Sequence, residues 1–310
     1  VEVVLGLASL YTESKENQRA IDLLERQLQS CRPREKLDYS ITLALILHSD
    51  GQPEKAQALL RKLDQTQENA GRVFQARTQI WIRDGMWAEL KASVKAWASR
   101  HPGENSAVVA LANRLAHHSD REAVAVAEEI LQEVVTHSPN WVEPKLLLGQ
   151  LLYRTNRVVE AGLQYRDVLH VAPDNLVAIN NWAWFLCEER QDYVEALSFA
   201  NRGLKIAPTD VDLLDTRGTI FYRMKQFDKA DEDLRRSIHL CPLNATTAIG
   251  SRFRLARVYA KMGRRGQAVQ YLEESLEMYS QMYQSRGKSG LSDMERVEAK
   301  QLLSELQSET

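Results

Sequence analysis

Residues 142–244 divide into three consecutive segments of 34, 35 and 34 residues, and Pro173, Pro208 and Pro242 each fall within two residues of a segment's end. A period of that length constrains the fold more than any single residue. Self-similarity at roughly 20–50 residues marks supersecondary units that bury their apolar faces only by stacking on one another. The period extends in both directions once small residues serve as anchors. With repeats starting at Val1, Leu37, Gly71, Asn105, Val142, Leu176, Val211 and Ile249, the eighth position reads Ala8, Ala44, Thr78, Ala112, Gly149, Ala183, Gly218 and Ala256. An insertion of three residues around Asp120 and one of a single residue before Tyr193 align the twentieth position, which reads Ala20, Ala56, Leu90, Ala127, Ala161, Ala196, Ala230 and Ala268. Bulky residues recur at position eleven: Tyr11, Leu47, Trp81, Leu115, Leu152, Leu186, Phe221 and Tyr259.

The spacing inside a repeat predicts two helices. Leu148, Leu151 and Leu152, or Leu234 and Ile238, recur three and four residues apart and lay one apolar stripe on each helix. Asp50-Gly51, Asp84-Gly85, Thr155-Asn156 and Met262-Gly263 supply turns between the first helix and the second. Small anchors let the two helices cross closely while large neighbours fill the layers beside the crossing. The third repeat departs from the pattern, with Arg77 and Leu90 in place of an apolar residue and an alanine, and an aromatic set Phe74, Trp81, Trp87 and Trp97 rebalances it.

This pattern resembles the tetratricopeptide repeat (TPR) family in its bacterial arrays. The residues that carry the resemblance are clearest in Leu148-Gly149, Leu152, Ala161 and Pro173, then Gly218, Phe221, Ala230 and Pro242. It covers residues 1–282, strongly over repeats five to eight and weakly over the third. The resemblance implies an all-α fold, a right-handed α-solenoid superhelix of about eight helix-turn-helix repeats, with a concave face made mainly of first helices and used to bind proteins. The expected organisation is one solenoid over 1–282, a loop over 283–291 and a C-terminal capping helix over 292–310. Ser292-x-x-Glu295 reads as a capping box at the start of that helix.

Composition narrows the function. The chain is 44% apolar and 26% charged with a net charge of −2, as a folded soluble array requires, and no apolar run approaches the ~18 residues of a membrane span. A groove that follows phosphates should be basic, so no nucleic-acid partner is expected. Cys31, Cys187 and Cys241 are too few and too scattered for a disulfide framework and read as small apolar residues. No nucleophile elbow, phosphate-binding loop or zinc-protease motif is present, so no enzyme activity and no cofactor are expected. His101, His117, His118 and His137 cluster around the fourth repeat, but adjacent helical residues point about 100° apart, and these read as solvated or turn histidines rather than a metal site.

Positions two, five, six, nine, twelve and thirteen of each first helix should face the groove. In repeats six to eight the candidate partner-binding residues are Asn180, Asn181, Trp184, Asp215, Thr219, Arg223, Arg254 and Arg257. An Asn amide offers an acceptor and two donors to a peptide backbone whatever its sequence. In TPR proteins that bind extended peptides, an Asn at position six often has this part, and Asn181 holds that position. Trp184 offers an aromatic shelf unless it packs between hairpins, as Trp182 is expected to do. Arg223, Arg254 and Arg257 suit acidic side chains or a terminal carboxylate. The residues at the family's chaperone-tail clamp positions, Asn180, Trp184, Thr216, Gly250 and Arg254, match that clamp poorly. The expected function is a non-enzymatic scaffold for a protein or peptide. An accessory module of an enzyme or assembly machinery and a self-associating array, exposing Val1, Val4, Leu5 and Tyr11, are the alternatives. The sequence begins without Met or a signal peptide, with Val1 already at the first repeat position, which reads as an excised fragment and leaves the compartment open between cytoplasm and periplasm.

Overall fold

The computed structural model describes residues 1–63, 70–100, 105–241, 246–286 and 290–308. His101, Pro242 and the residues Gly287, Lys288 and Ser289 of the expected loop lie outside them. The described residues form helices and no strand. The helices pair in sequence: α1 (Glu2–Glu13) with α2 (Asn17–Ser30), α3 (Pro33–Ser49) with α4 (Pro53–Leu63), α5 (Ala70–Asp84) with α6 (Trp87–Arg100), and α7 (Ser106–Ala116) with α8 (Arg121–His137). Then follow α9 (Val142–Arg154) with α10 (Val158–Val171), α11 (Leu176–Glu188) with α12 (Tyr193–Ile206), α13 (Val211–Arg223) with α14 (Phe227–Leu240), and α15 (Thr246–Lys261) with α16 (Arg265–Arg286). A last helix, α17 (Asp293–Ser308), packs on α16. The helices group into two compact units, Val1–Ser138 and Pro139–Thr310.

The anchors sit where helices cross. All eight residues at position eight are buried, and the residues at position twenty are 0–1% exposed in every repeat, including Leu90 of the third. At Gly149 and Gly218 even a methyl group has no room: a Cβ would lie 2.7 Å from the Tyr165 ring in one hairpin and 2.7 Å from Leu234 Cγ in the other. Position fifteen closes each hairpin in the left-handed region, at Lys15, Gly51, Gly85, Asn156, Lys225 and Gly263, and at Gln191 after the inserted residue. The fourth hairpin, with its three-residue insertion, instead starts α8 with Asp120, whose Oδ1 accepts from Glu122 N at 2.8 Å.

In unit 1, α1, α3 and α5 pack side by side, and one apolar cluster runs from Ala8 through Leu43 and Leu60 to Ile80. Val4, Leu5 and Tyr11 belong to that packing rather than to an open face; the exposed apolar residues there are Val1, just before α1, and Val3, Leu7 and Leu10 on it. That correction follows from helix geometry, since Val4, Ala8 and Tyr11 share the stripe facing α2, while Val3, Leu7 and Leu10 share another. The aromatic set of the third repeat does compensate: Phe74 stacks on Trp97 at 4.7 Å, and Trp87 donates to Asp120 Oδ2 at 3.1 Å.

In unit 2, α11, α13 and α15 stand side by side, with the second helices behind them. Asn175, Asp192 and Asp210 cap α11, α12 and α13 by accepting from backbone N–H groups of the first turn. The carbonyls of Pro173 and Pro208 accept from Arg202 (2.8 Å) and Arg236 (3.3 Å), which ties each proline turn to the second helix that follows. Trp182 stacks on Phe185 at 5.2 Å between the hairpins.

Candidate functional site

First helices one repeat apart present equivalent positions to one another, so polar residues at those positions meet as a ladder. On unit 2, Thr216 donates to Asn180 Oδ1 at 2.7 Å, Thr247 to Asp212 at 2.7 Å and Ser251 to Asp215 at 2.6 Å. Arg223 holds both carboxylate oxygens of Glu188, with Nε 2.9 Å from Oε1. These hydrogen bonds raise the already basic Arg223 guanidinium further.

Asp215 and Arg254 form the buried centre of the face. Asp215 is 6% exposed, and burial pushes its carboxyl above the usual carboxylate range against the pull of Arg254 and Ser251. Burial acts against the charge on Arg254 as well, but Asp215, 3.3 Å away, and Glu295, 3.0 Å away, outweigh it and hold the guanidinium charged. The same guanidinium lies 5.0 Å over the ring of Trp184, two repeats back. Packed helices stand about 8–10 Å apart, so contact from α15 to α11 across α13 requires a first-helix face that curves inward.

Each of the eight expected site residues can now be placed. Asn180, Arg223 and Arg254 are ladder members, and Thr219 is buried with its hydroxyl on the Asp215 carbonyl at 2.9 Å. Arg257 lies 4.8 Å over Tyr222 and pairs with Glu298 at 3.1 Å. Trp184 is half-buried, lies beside the exposed Tyr153 and carries Arg254 on its ring. Asn181 is half-buried, and its amide has no hydrogen-bond partner among the described residues. Tyr153, Glu295 and Glu298 are additions the sequence reading lacked. The glutamates gave one signal, their spacing of three at the start of the last helix.

The remaining clusters are local. His117 Nδ1 meets the Asn113 carbonyl, His137 Nδ1 meets that of Glu133, and His118 Nδ1 accepts from Asp120 N. Among the described residues no group of three or more His, Cys, Asp or Glu could hold a metal ion, and no helix is long and apolar enough to cross a membrane.

The repeat pattern has a family counterpart at both ends of the chain. The family profile Tetratricopeptide repeat matches residues 4–38, which begin in α1, and residues 249–282, which take in most of α15 and α16. Tetratricopeptide repeats are present in this chain. A TPR repeat-containing protein of Pseudomonas aeruginosa is 25% identical over 124 residues, or 40% of this chain, and the match spans about a fifth (21%) of that relative's length. Among solved structures, the APC/C hetero-tetramer Cut9-Hcn1 aligns with 98% of this chain and 55% of its own at 15% identity and a TM-score of 0.55, which shows the fold. PilW, a type IV pilus biogenesis factor, aligns with 65% of this chain and 91% of its own at 18% identity and a TM-score of 0.48. Neither family match is to an enzyme; TPR arrays are in general modules of protein interaction.

Proposed function

We propose that this protein is a non-catalytic scaffold that holds an extended segment of a partner protein along the first helices of unit 2, with Asn181 gripping the partner's backbone. The observation that carries the reading is the state of Asn181. On a face where Asn180, Asp215, Thr219, Arg223, Arg254 and Arg257 are all engaged with other groups of the chain, its half-buried amide alone has none among the described residues. A backbone C=O and N–H of a passing chain would satisfy that amide in both directions. Trp184 and the exposed Tyr153 lie beside it as apolar surface for a side chain. Three repeats of first helices span enough length for about six to eight extended residues at ~3.3 Å each.

Peptides selected from a random library on the immobilised full chain test this. Asn181→Ala should weaken the selected peptides about tenfold, or ~1.4 kcal/mol, with helix content unchanged. Equal affinity for the variant would sink the assignment of Asn181.

A further inference from the structure

The arginines that read from sequence as a seat for an acidic partner already carry one, and it belongs to this chain. Glu295 and Glu298 lie one helical turn apart on α17 and reach Arg254 and Arg257 of α15 at 3.0 and 3.1 Å. Glu295 divides its carboxylate. Oε1 takes Arg254, while Oε2 accepts from Ser292 N at 2.8 Å and Ser292 Oγ at 2.9 Å, so the capping box that starts the helix is fixed at the ion pair. Further along the same face α17 lays Ala299, with Leu302, Leu303 and Leu306, on an apolar bed that includes Ile249 and Phe253, both 0% exposed. The approach is close. A Cβ on Gly290, just before α17, would lie 2.4 Å from the Thr246 carbonyl and 2.6 Å from Ile249 Cβ.

Two features make this seat exchangeable rather than fixed. The first is that its charges do not depend on α17. Arg254 keeps Asp215 at 3.3 Å and the Trp184 ring at 5.0 Å, and Arg257 keeps the Tyr222 ring at 4.8 Å, so removing α17 strands no buried ion. The second is that α17 is lightly held: Ala299 is its one buried residue among those described, while Met294 and Val297 stand 80% and 60% exposed. The bed itself cannot stay bare, because Ile249 and Phe253 would meet water. The helix can therefore leave only for another of the same chemistry. We propose that the surface beneath α17 is a docking site for an acidic amphipathic helix of a partner protein, with two carboxylates one turn apart leading into Ala/Leu further along the same face, and that α17 is its resident occupant. This surface adjoins the Asn181 contact at Trp184, on whose ring Arg254 lies, but its test does not depend on Asn181.

The test uses the full chain and, as probe, a labelled synthetic peptide of residues 292–308. Glu295→Gln with Glu298→Lys removes the charge pairing while Gln keeps the cap. In that variant the α17 amides should exchange with solvent at least tenfold faster than in the wild type. The peptide should bind it at least tenfold more tightly, because a tethered competitor at high effective concentration has been released. A peptide carrying the same two substitutions should bind at least tenfold more weakly than the native one. If the double variant fails to fold, Gly290→Ala unseats the linker without touching the charges and should give the same faster exchange and tighter binding. Unchanged α17 protection, or equal affinity of the peptide for both chains, or of both peptides for one chain, overturns the proposal. Dimers that form in place of peptide capture assign the seat to a second copy and overturn the partner.

Discussion

Replacing Gly218 by Ala measures how closely the helices of one hairpin cross. Alanine is the better helix former, and the exchange alone favours the folded state by about 0.5–1 kcal/mol. The structure opposes it: the new Cβ lies 2.7 Å from Leu234 Cγ and 3.0 Å from Cδ2, with the Leu234 backbone N behind them at 3.4 Å. Ordinary contact begins near 3.5 Å, so Leu234 must retreat by roughly 0.8 Å. It is 0% exposed, so it has nowhere to go without moving α14. Overpacking of this kind costs about 1–3 kcal/mol, and the net expectation is a loss of about 0.5–2 kcal/mol. Gly6 is the control, because a Cβ there meets nothing within 4 Å; Gly6→Ala should stabilise by about 0.5–1 kcal/mol. Urea unfolding followed by far-ultraviolet circular dichroism reads both, with exchange of α13 and α14 amides locating the effect in this hairpin. A Gly218→Ala midpoint at or above that of the wild type would refute the close crossing and with it the role of the small anchors.

Lys225 closes its hairpin at φ 60°, where an L-residue pays about 1–2 kcal/mol and glycine almost nothing, so after the extra freedom of glycine in the unfolded chain Lys225→Gly should raise stability by about 0.5 kcal/mol; a lower melting temperature would contradict the turn. Asp233, its side chain 3% exposed, is held by Arg217 at 2.6 and 2.8 Å. Arg217→Ala should cost about 3 kcal/mol in the urea midpoint by stranding that carboxylate, and Arg217→Met with Asp233→Leu should recover most of it. In unit 1, burial works against ionisation of Asp84, but hydrogen bonds from His48 and Arg83 outweigh it and hold the carboxyl below its usual range. A depressed folded value gives stability that is present above the unfolded carboxylate range and is lost as pH falls through the folded one. The advantage over Asp84→Asn, under about 1 kcal/mol for a side chain 32% exposed, should therefore vanish in melts taken from pH ~6 to ~3; a difference constant across that range would refute it.

Which parts of this could be read ahead depends on how local the determinant is. The anchors were readable because crossing distance is set residue by residue: Ala8, Ala44, Ala112, Ala183 and Ala256 recur at one register and are all 0% exposed. The turns were readable only where the residue type betrays the backbone. Gly51, Gly85, Gly263 and Asn156 announce a left-handed closure, whereas Lys15, Gln191 and Lys225 adopt it because the packed helices on either side dictate it. The candidate face was half readable. Its membership followed from the helical period, but the pairing that occupies Arg223, Arg254 and Arg257 did not. Arg223 meets Glu188 at a separation of 35 residues, close to the period, whereas Arg254 and Glu295 are 41 apart. The 22-residue α16 and the segment after it break the register there. Val4, Leu5 and Tyr11 were misjudged for a related reason, since α1 has two apolar stripes and the sequence does not say which one α2 covers.

Amide exchange across the whole chain, with and without a peptide selected on it, tests the scaffold reading most directly. The account predicts added protection along the first helices α9, α11 and α13, and its loss together with binding in Asn181→Ala. Protection confined to the second helices α10, α12 and α14, with Asn181→Ala binding as the wild type does, would contradict it.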